Sequence, residues 1–100
     1  MVIRHTVMFT LKHDCGSQRE REFLDAALVL AKIESVRKFE RLRQTSEKCS
    51  HRFGFSMEFD STEDYEFYNR HPFHTKFVED RWLPEVAEFQ EIDYEFYSDA

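Results

Sequence analysis

From residue 52 to 59 apolar and polar positions alternate without a break. Phe53, Phe55, Met57 and Phe59 fall on one parity, and Arg52, Gly54, Ser56 and Glu58 on the other. A period of two puts these sets on opposite faces of a strand, so the segment predicts a strand with a strongly apolar inner face. Residues 2–11 repeat the pattern: Ile3, His5, Val7, Phe9 and Leu11 share one face, opposite Val2, Arg4, Thr6, Met8 and Thr10. Residues 89–97 predict a closing strand, with Ile92, Tyr94 and Phe96 on its apolar side and Glu91, Asp93 and Glu95 on its acidic side. Residues 36–44 alternate weakly and carry Arg37, Lys38, Glu40, Arg41 and Arg43. Charge of that density suits an edge strand, where it blunts pairing with stray chains.

The remaining segments have helical punctuation. Ser17 followed three residues later by Glu20 is a capping-box signal. It predicts a helix over 18–33 with a core stripe of Phe23, Ala27, Leu30 and Ala31, widened by Leu24 and Leu28. Ser61 with Asp64 opens a shorter helix carrying Tyr65 and Tyr68 on one side. Pro72 ends it, because the residue before a proline disfavours helical geometry, and can itself open a further helix holding Phe73, Phe77, Val78 and Trp82. Leu83-Pro84 marks another restart. The order β-α-β-β-α-β predicts an α+β, ferredoxin-like antiparallel sheet with helices on one face. The opposite face holds Val2 and Met8 among polar neighbours, which a small two-layer domain often covers by pairing with a copy of itself.

Composition narrows the functional classes. The chain has 100 residues, 41% apolar and 34% charged, which reads as one folded domain over 1–100. A formal charge of -6 argues against nucleic acid or an anionic membrane as partner. Two glycines, Gly16 and Gly54, rule out a Gly-rich phosphate loop, and no cofactor is expected. The longest apolar run spans residues 26–31, far below the ~20 residues of a membrane helix. Residues 1–11 are too polar for a secretory leader. Cys15 and Cys49 read as reduced thiols of a cytoplasmic protein.

The RNA-recognition motif shares this element order, and Arg52-Phe53-Gly54-Phe55 superficially resembles its aromatic strand. Parity decides against it. If those phenylalanines stacked on bases, Gly54, Ser56 and Glu58 would have to build the core.

Three landmarks together resemble the stress-responsive dimeric α/β-barrel (Dabb) family: Ile3-Arg4-His5-Thr6-Val7-Met8-Phe9, Tyr68-x-x-His71-Pro72-x-His74, and Ile92-Asp93-Tyr94. The resemblance spans essentially the whole chain. It implies a ferredoxin-like protomer whose homodimer closes two sheets into a barrel, and a pocket between sheet and helices for a small hydrophobic ligand. Many such proteins have no assigned activity; a few plant members resemble polyketide cyclases that use a Tyr and a His for acid-base chemistry. His5, Tyr68 and His74 match those functional positions. Phe53 stands where the cyclase-like members carry a further histidine.

The same residues stand out on their own chemistry. His5 interrupts an apolar strand face, where an imidazole either makes a local hydrogen bond or lines a cavity as a general base. Tyr68 and His74 flank the break at Pro72, and a phenol beside an imidazole can move a proton next to a carbonyl. His5, His71 and His74 could hold zinc only without any recognised spacing, so no metal site is assigned. His13 and His51 fall in polar loops and are expected to be solvated. In a 4-1-3-2 sheet the second and fourth strands are the edges. One carries four cations against one anion and the other three carboxylates, which predicts that a partner copy sets basic edge beside acidic edge.

Overall fold

The structure, a computed structural model, describes residues 2–97. Strand β1 (Ile3–Leu11) leads to helix α1 (Gln18–Ala26), a 3-10 segment (Ala27–Lys32), and strands β2 (Arg37–Arg43) and β3 (Phe53–Phe59). Helix α2 (Thr62–Arg70) follows, then α3 (Pro72–Phe77), a π-helical turn (Val78–Trp82), a last helical turn α4 (Leu83–Glu85) and strand β4 (Val86–Tyr94). The sheet runs β2-β3-β1-β4 with every pair antiparallel. This is the ferredoxin-like arrangement, with β2 and β4 at the edges.

β1 and β3 meet in the register their alternation demands: Ile3 lies opposite Phe59, Val7 opposite Phe55 and Phe9 opposite Phe53. The inner residues of both strands are buried under the helices, apart from partly exposed Ile3. Phe9, Phe23, Phe55 and Trp82 form the centre of the core, with the Phe9 ring 5.7 Å from Phe23, 4.7 Å from Phe55 and 5.1 Å from Trp82. Tilted and edge-on aromatic pairs of this kind add ~0.5–1.5 kcal/mol each beyond the area they bury.

The first helix departs from expectation halfway along. Ser17 caps it, accepting from the Glu20 amide at 3.2 Å, and the Glu20 carboxylate accepts from the Gly16 amide at 3.0 Å. After Ala26 the coil tightens to three residues per turn. Ala27, Leu30 and Ile33, three apart, are therefore the buried set, while Ala31 and Leu28 face solvent. The 18–33 segment is thus one α-helix and one 3-10 segment, and Ile33 takes the core place predicted for Ala31.

At Pro72 the chain behaves as its sequence demands. His71 is extended, and its Nδ1 accepts from the Phe73 amide at 3.0 Å to cap α3. At Pro84 the expected restart is instead a bulge in a continuing helix. Leu83 donates to the Val78 carbonyl five residues back. Proline cannot donate to the carbonyl four residues before it, and the wider turn accommodates that loss.

The largest correction concerns β4, which begins three residues earlier than predicted and ends at Tyr94. Leu11 pairs with Val86, but Thr10 pairs with Glu88, so Ala87 is an extra residue in the strand. One extra residue reverses every side chain beyond it. Glu91 and Asp93 consequently lie on the helix side, opposite Val7 and His5, while Ile92 and Tyr94 lie on the open face, opposite Thr6 and Arg4. β2 also carries an irregularity between Arg37 and Glu40, where Lys38 adopts a φ of 51°. No helix among the described residues is long and apolar enough to cross a membrane.

Candidate functional site

The inverted parity of β4 brings acids to the one polar position of the β1 core face. His5 is buried, and its Nδ1 lies 2.5 Å from Asp93 Oδ1. Tyr65, from α2, donates its hydroxyl to Asp93 Oδ2 at 2.8 Å and lies 2.8 Å from the same His5 nitrogen. Burial first, then the hydrogen bond to Asp93, raises the Tyr65 pKa and keeps the phenol neutral.

Tyr68 follows one helical turn after Tyr65 and is itself buried, its ring 6.0 Å from His5 and 4.4 Å from His74. Burial raises the Tyr68 pKa, with the nearby Glu91 carboxylate adding to the effect. His74 sits on α3 just past the Pro72 restart. Its Nδ1–H donates to the Asn69 carbonyl at 3.0 Å, and burial pulls its pKa below the ordinary value of 6.5. Neutral His74 therefore holds its proton on Nδ1 and leaves Nε2 as a free lone pair. Tyr68 and His74 touch as rings and share no direct hydrogen bond.

His5, Tyr68 and His74 line one cavity of about 280 Å³, with Glu91 at its rim. Its walls are otherwise apolar, built from Val7, Leu30, Phe55, Met57, Phe77 and Trp82. Leu83 and Phe89, both more than half exposed, also line it and mark its mouth beside the β4 edge. The π-turn contributes Val78 and Trp82, so the irregular helix shapes the far wall.

The remaining histidines do other work. His71 is a helix cap. His13, expected in solvent, is held in a nearly buried pair with Glu85 at 2.6 Å that ties the loop after β1 to α4. His51, also expected in solvent, is half-buried and bonds the Thr10 hydroxyl at 2.9 Å. Among the described residues no three His, Cys, Asp or Glu side chains are arranged to hold a metal.

Tyr65 and Asp93 escape a reading of the sequence as site residues. Asp93 sits in the Ile-Asp-Tyr landmark, but its side of the strand depends on Ala87, which carries no bulge signature. Tyr65 becomes significant only once Asp93 faces it.

A four-stranded antiparallel sheet with helices on one face and a largely apolar cavity lined by His5, Tyr68 and His74 defines a small ferredoxin-like α+β domain. The sequence profile of the stress responsive A/B barrel domain, Dabb, matches residues 3–96, and the chain belongs to that family. A Dabb family protein from Mesorhizobium loti with a ferredoxin-like fold is 53% identical, covering 97% of this chain and 98% of its own, with a TM-score of 0.94. A dimeric ferredoxin-like protein of unknown function from Bacteroides fragilis shares 24% identity over 95% of this chain and 96% of its own, with a TM-score of 0.73. A hydroxynitrile lyase from Passiflora edulis has the same fold at 11% identity, covering 93% and 91% of the two chains, with a TM-score of 0.78. Among curated proteins nothing matches.

Proposed function

We propose that this protein is an acid-base catalyst for small aromatic or polyketide-like carbonyl compounds, using its own side chains rather than a cofactor. The observation that carries the reading is that His5, Tyr68 and His74 line one cavity of about 280 Å³ whose other walls, Glu91 at the rim apart, are apolar. Apolar walls favour a hydrophobic ring, and the polar side chains suit a carbonyl. His74 Nε2 takes a proton from the carbon beside that carbonyl: the C–H bond breaks, an N–H bond forms, and the electron pair moves onto the carbonyl oxygen. The neutral Tyr68 hydroxyl hydrogen-bonds that oxygen as its charge grows. Phe53 in place of a further histidine separates the site from the cyclase-like pattern and leaves the choice of ring closure, isomerisation or elimination to the substrate.

The test is deuterium exchange at the α-carbon of acetophenone and benzoylacetone, followed by NMR. Exchange above the buffer rate that falls ~10²–10⁴-fold in His74→Ala is the expected result. If neither compound exchanges faster than in buffer, the catalytic reading fails. A ligand-binding role without chemistry would then show as quenching of Trp82, the chain's single tryptophan and a cavity wall, by the same compounds.

The protein is further proposed to act as a homodimer through the open face of its sheet. Ile92 and Tyr94 join Val2, Met8 and Leu42 there, and Tyr94 and Leu42 are about half exposed. The dimeric B. fragilis protein supports this assembly. The charge a β4 edge offers a partner is smaller than the sequence suggests, since Asp93 is engaged by His5 and Tyr65 and Glu95 lies beyond the strand. Sedimentation of the wild type at the mass of one chain would overturn the dimer.

A further inference from the structure

His5 stands between two separate depressions. Its ring lines the inner cavity with Tyr68 and His74, whereas Asp93 and Tyr65 line a recess on the outer surface together with Ile3, Thr62 and Tyr94. The Asp93 side chain is 41% exposed and the His5 side chain 9%. The Nδ1 atom therefore meets a carboxylate open to water, while the same residue lines the cavity and packs against Phe59, Tyr65 and Tyr68.

The proton positions in this cluster follow by elimination. Asp93 Oδ1 lies 2.5 Å from His5 Nδ1, a separation that needs a proton between the two atoms. The Tyr65 hydroxyl cannot supply it, because it bonds Oδ2 of the same carboxylate at 2.8 Å. With an ionised carboxylate, one arrangement satisfies all three contacts. His5 Nδ1–H donates to Asp93 and shares its proton with the Tyr65 oxygen, while Tyr65 O–H donates to Asp93.

We propose that Asp93 is a positioning residue that, with Tyr65, holds His5 in the Nδ1-protonated form and presents its Nε2 lone pair to the cavity as a second base facing the Tyr68–His74 pair. A carboxylate behind an imidazole fixes its tautomer and orientation and balances the charge it acquires when it takes a proton. In the reaction a C–H proton moves to Nε2, Nδ1 keeps its own proton, and Asp93 faces the resulting imidazolium. Two bases on one cavity suit a substrate that must lose a proton at one carbon and regain it at another. That consequence rests on the acid-base reading above, whereas the tautomer itself is tested without any substrate.

The experiment is a long-range ¹H–¹⁵N correlation spectrum of the full chain labelled at its five histidines, recorded at pH 8, with His5→Gln to assign the signal. Wild-type His5 is expected to show a protonated-type Nδ1 and a bare-type Nε2. Asp93→Asn reverses this, because the amide can donate to Nδ1, and Tyr65→Phe leaves the wild-type form in place. Unchanged signals from the other four histidines report that a variant is folded. An Nε2-protonated His5 in the wild type overturns the proposal, and so does an Asp93→Asn protein, folded by that criterion, with an unchanged tautomer. If Asp93→Asn does not fold, the wild-type spectrum decides alone. Failure of α-carbon exchange would defeat the catalytic reading without moving this result.

Discussion

β3 and β4 both belong to one sheet, and both alternate between apolar and polar residues, yet they obey opposite rules. On β3 the apolar parity faces the helices: Phe53, Phe55, Met57 and Phe59 are all buried. On β4 the acidic parity faces them, with Glu91 and Asp93 opposite Val7 and His5. The cause is a single extra residue, Ala87, and the consequence is one carboxylate at the rim of the cavity, Glu91, and another behind His5, Asp93. A strand that breaks the hydrophobic pattern costs the core some burial, and a functional site is where such a cost is expected to be tolerated. Bulges collect beside active sites for the same reason: they re-aim side chains without changing the fold.

The contrast predicts unequal costs of truncation. Phe59 is fully buried on β3, so Phe59→Ala should lower unfolding free energy by ~3–5 kcal/mol in urea titration. Phe89→Ala on β4 should cost only about 1 kcal/mol, because half of that ring is already in water. Equal costs would mean that the β4 rim is core like β3, and the comparison would fail.

Deleting Ala87 sharpens it further. Without the extra residue Leu11–Val86 and Thr10–Glu88 become consecutive pairs, so the outer half of β4 keeps its faces and Asp93 still meets His5. The His5 Nδ1 proton signature should therefore survive the deletion. One residue inserted between Phe89 and Gln90 should instead turn the outer half over, cost ~1–3 kcal/mol as His5 and Tyr65 lose their shared carboxylate, and abolish the signature. A deletion variant that loses that signature would show that the facing of Asp93 depends on the bulge itself and not on the pairing beyond it.

The smallest effects are those of pH, and their signs follow from burial. His74 resists protonation in the folded protein, while in the unfolded chain it titrates near 6.5. As pH falls below that value the unfolded chain takes up the proton first, so stability declines on acidification. His74→Gln should flatten that part of the curve. Tyr65 and Tyr68 resist deprotonation, so stability should decline again as pH rises above their ordinary value of 10.0. A His74→Gln profile that parallels wild type below pH 6.5 would assign the acid limb to other groups.

The sequence alone carried the element order, the strand order, the core faces of β1 and β3, and the caps at Ser17 and Ser61. Each of these depends on local chemistry: side-chain parity, a hydroxyl meeting an amide, a proline without a donor. It also singled out His5, Tyr68 and His74, because two of them flank a proline break and one interrupts an apolar face. Their common cavity, and the roles of Tyr65 and Asp93, came only with the tertiary structure. The same is true of the 3-10 segment, which exchanged Ala31 for Ile33 in the core, and of the His13–Glu85 pair. None of these has a local signature, because each depends on what another part of the chain presents to it. Ala87 is the sharpest case. On one side of it Leu11 pairs with Val86, on the other His5 pairs with Asp93, and the two registers differ by one residue.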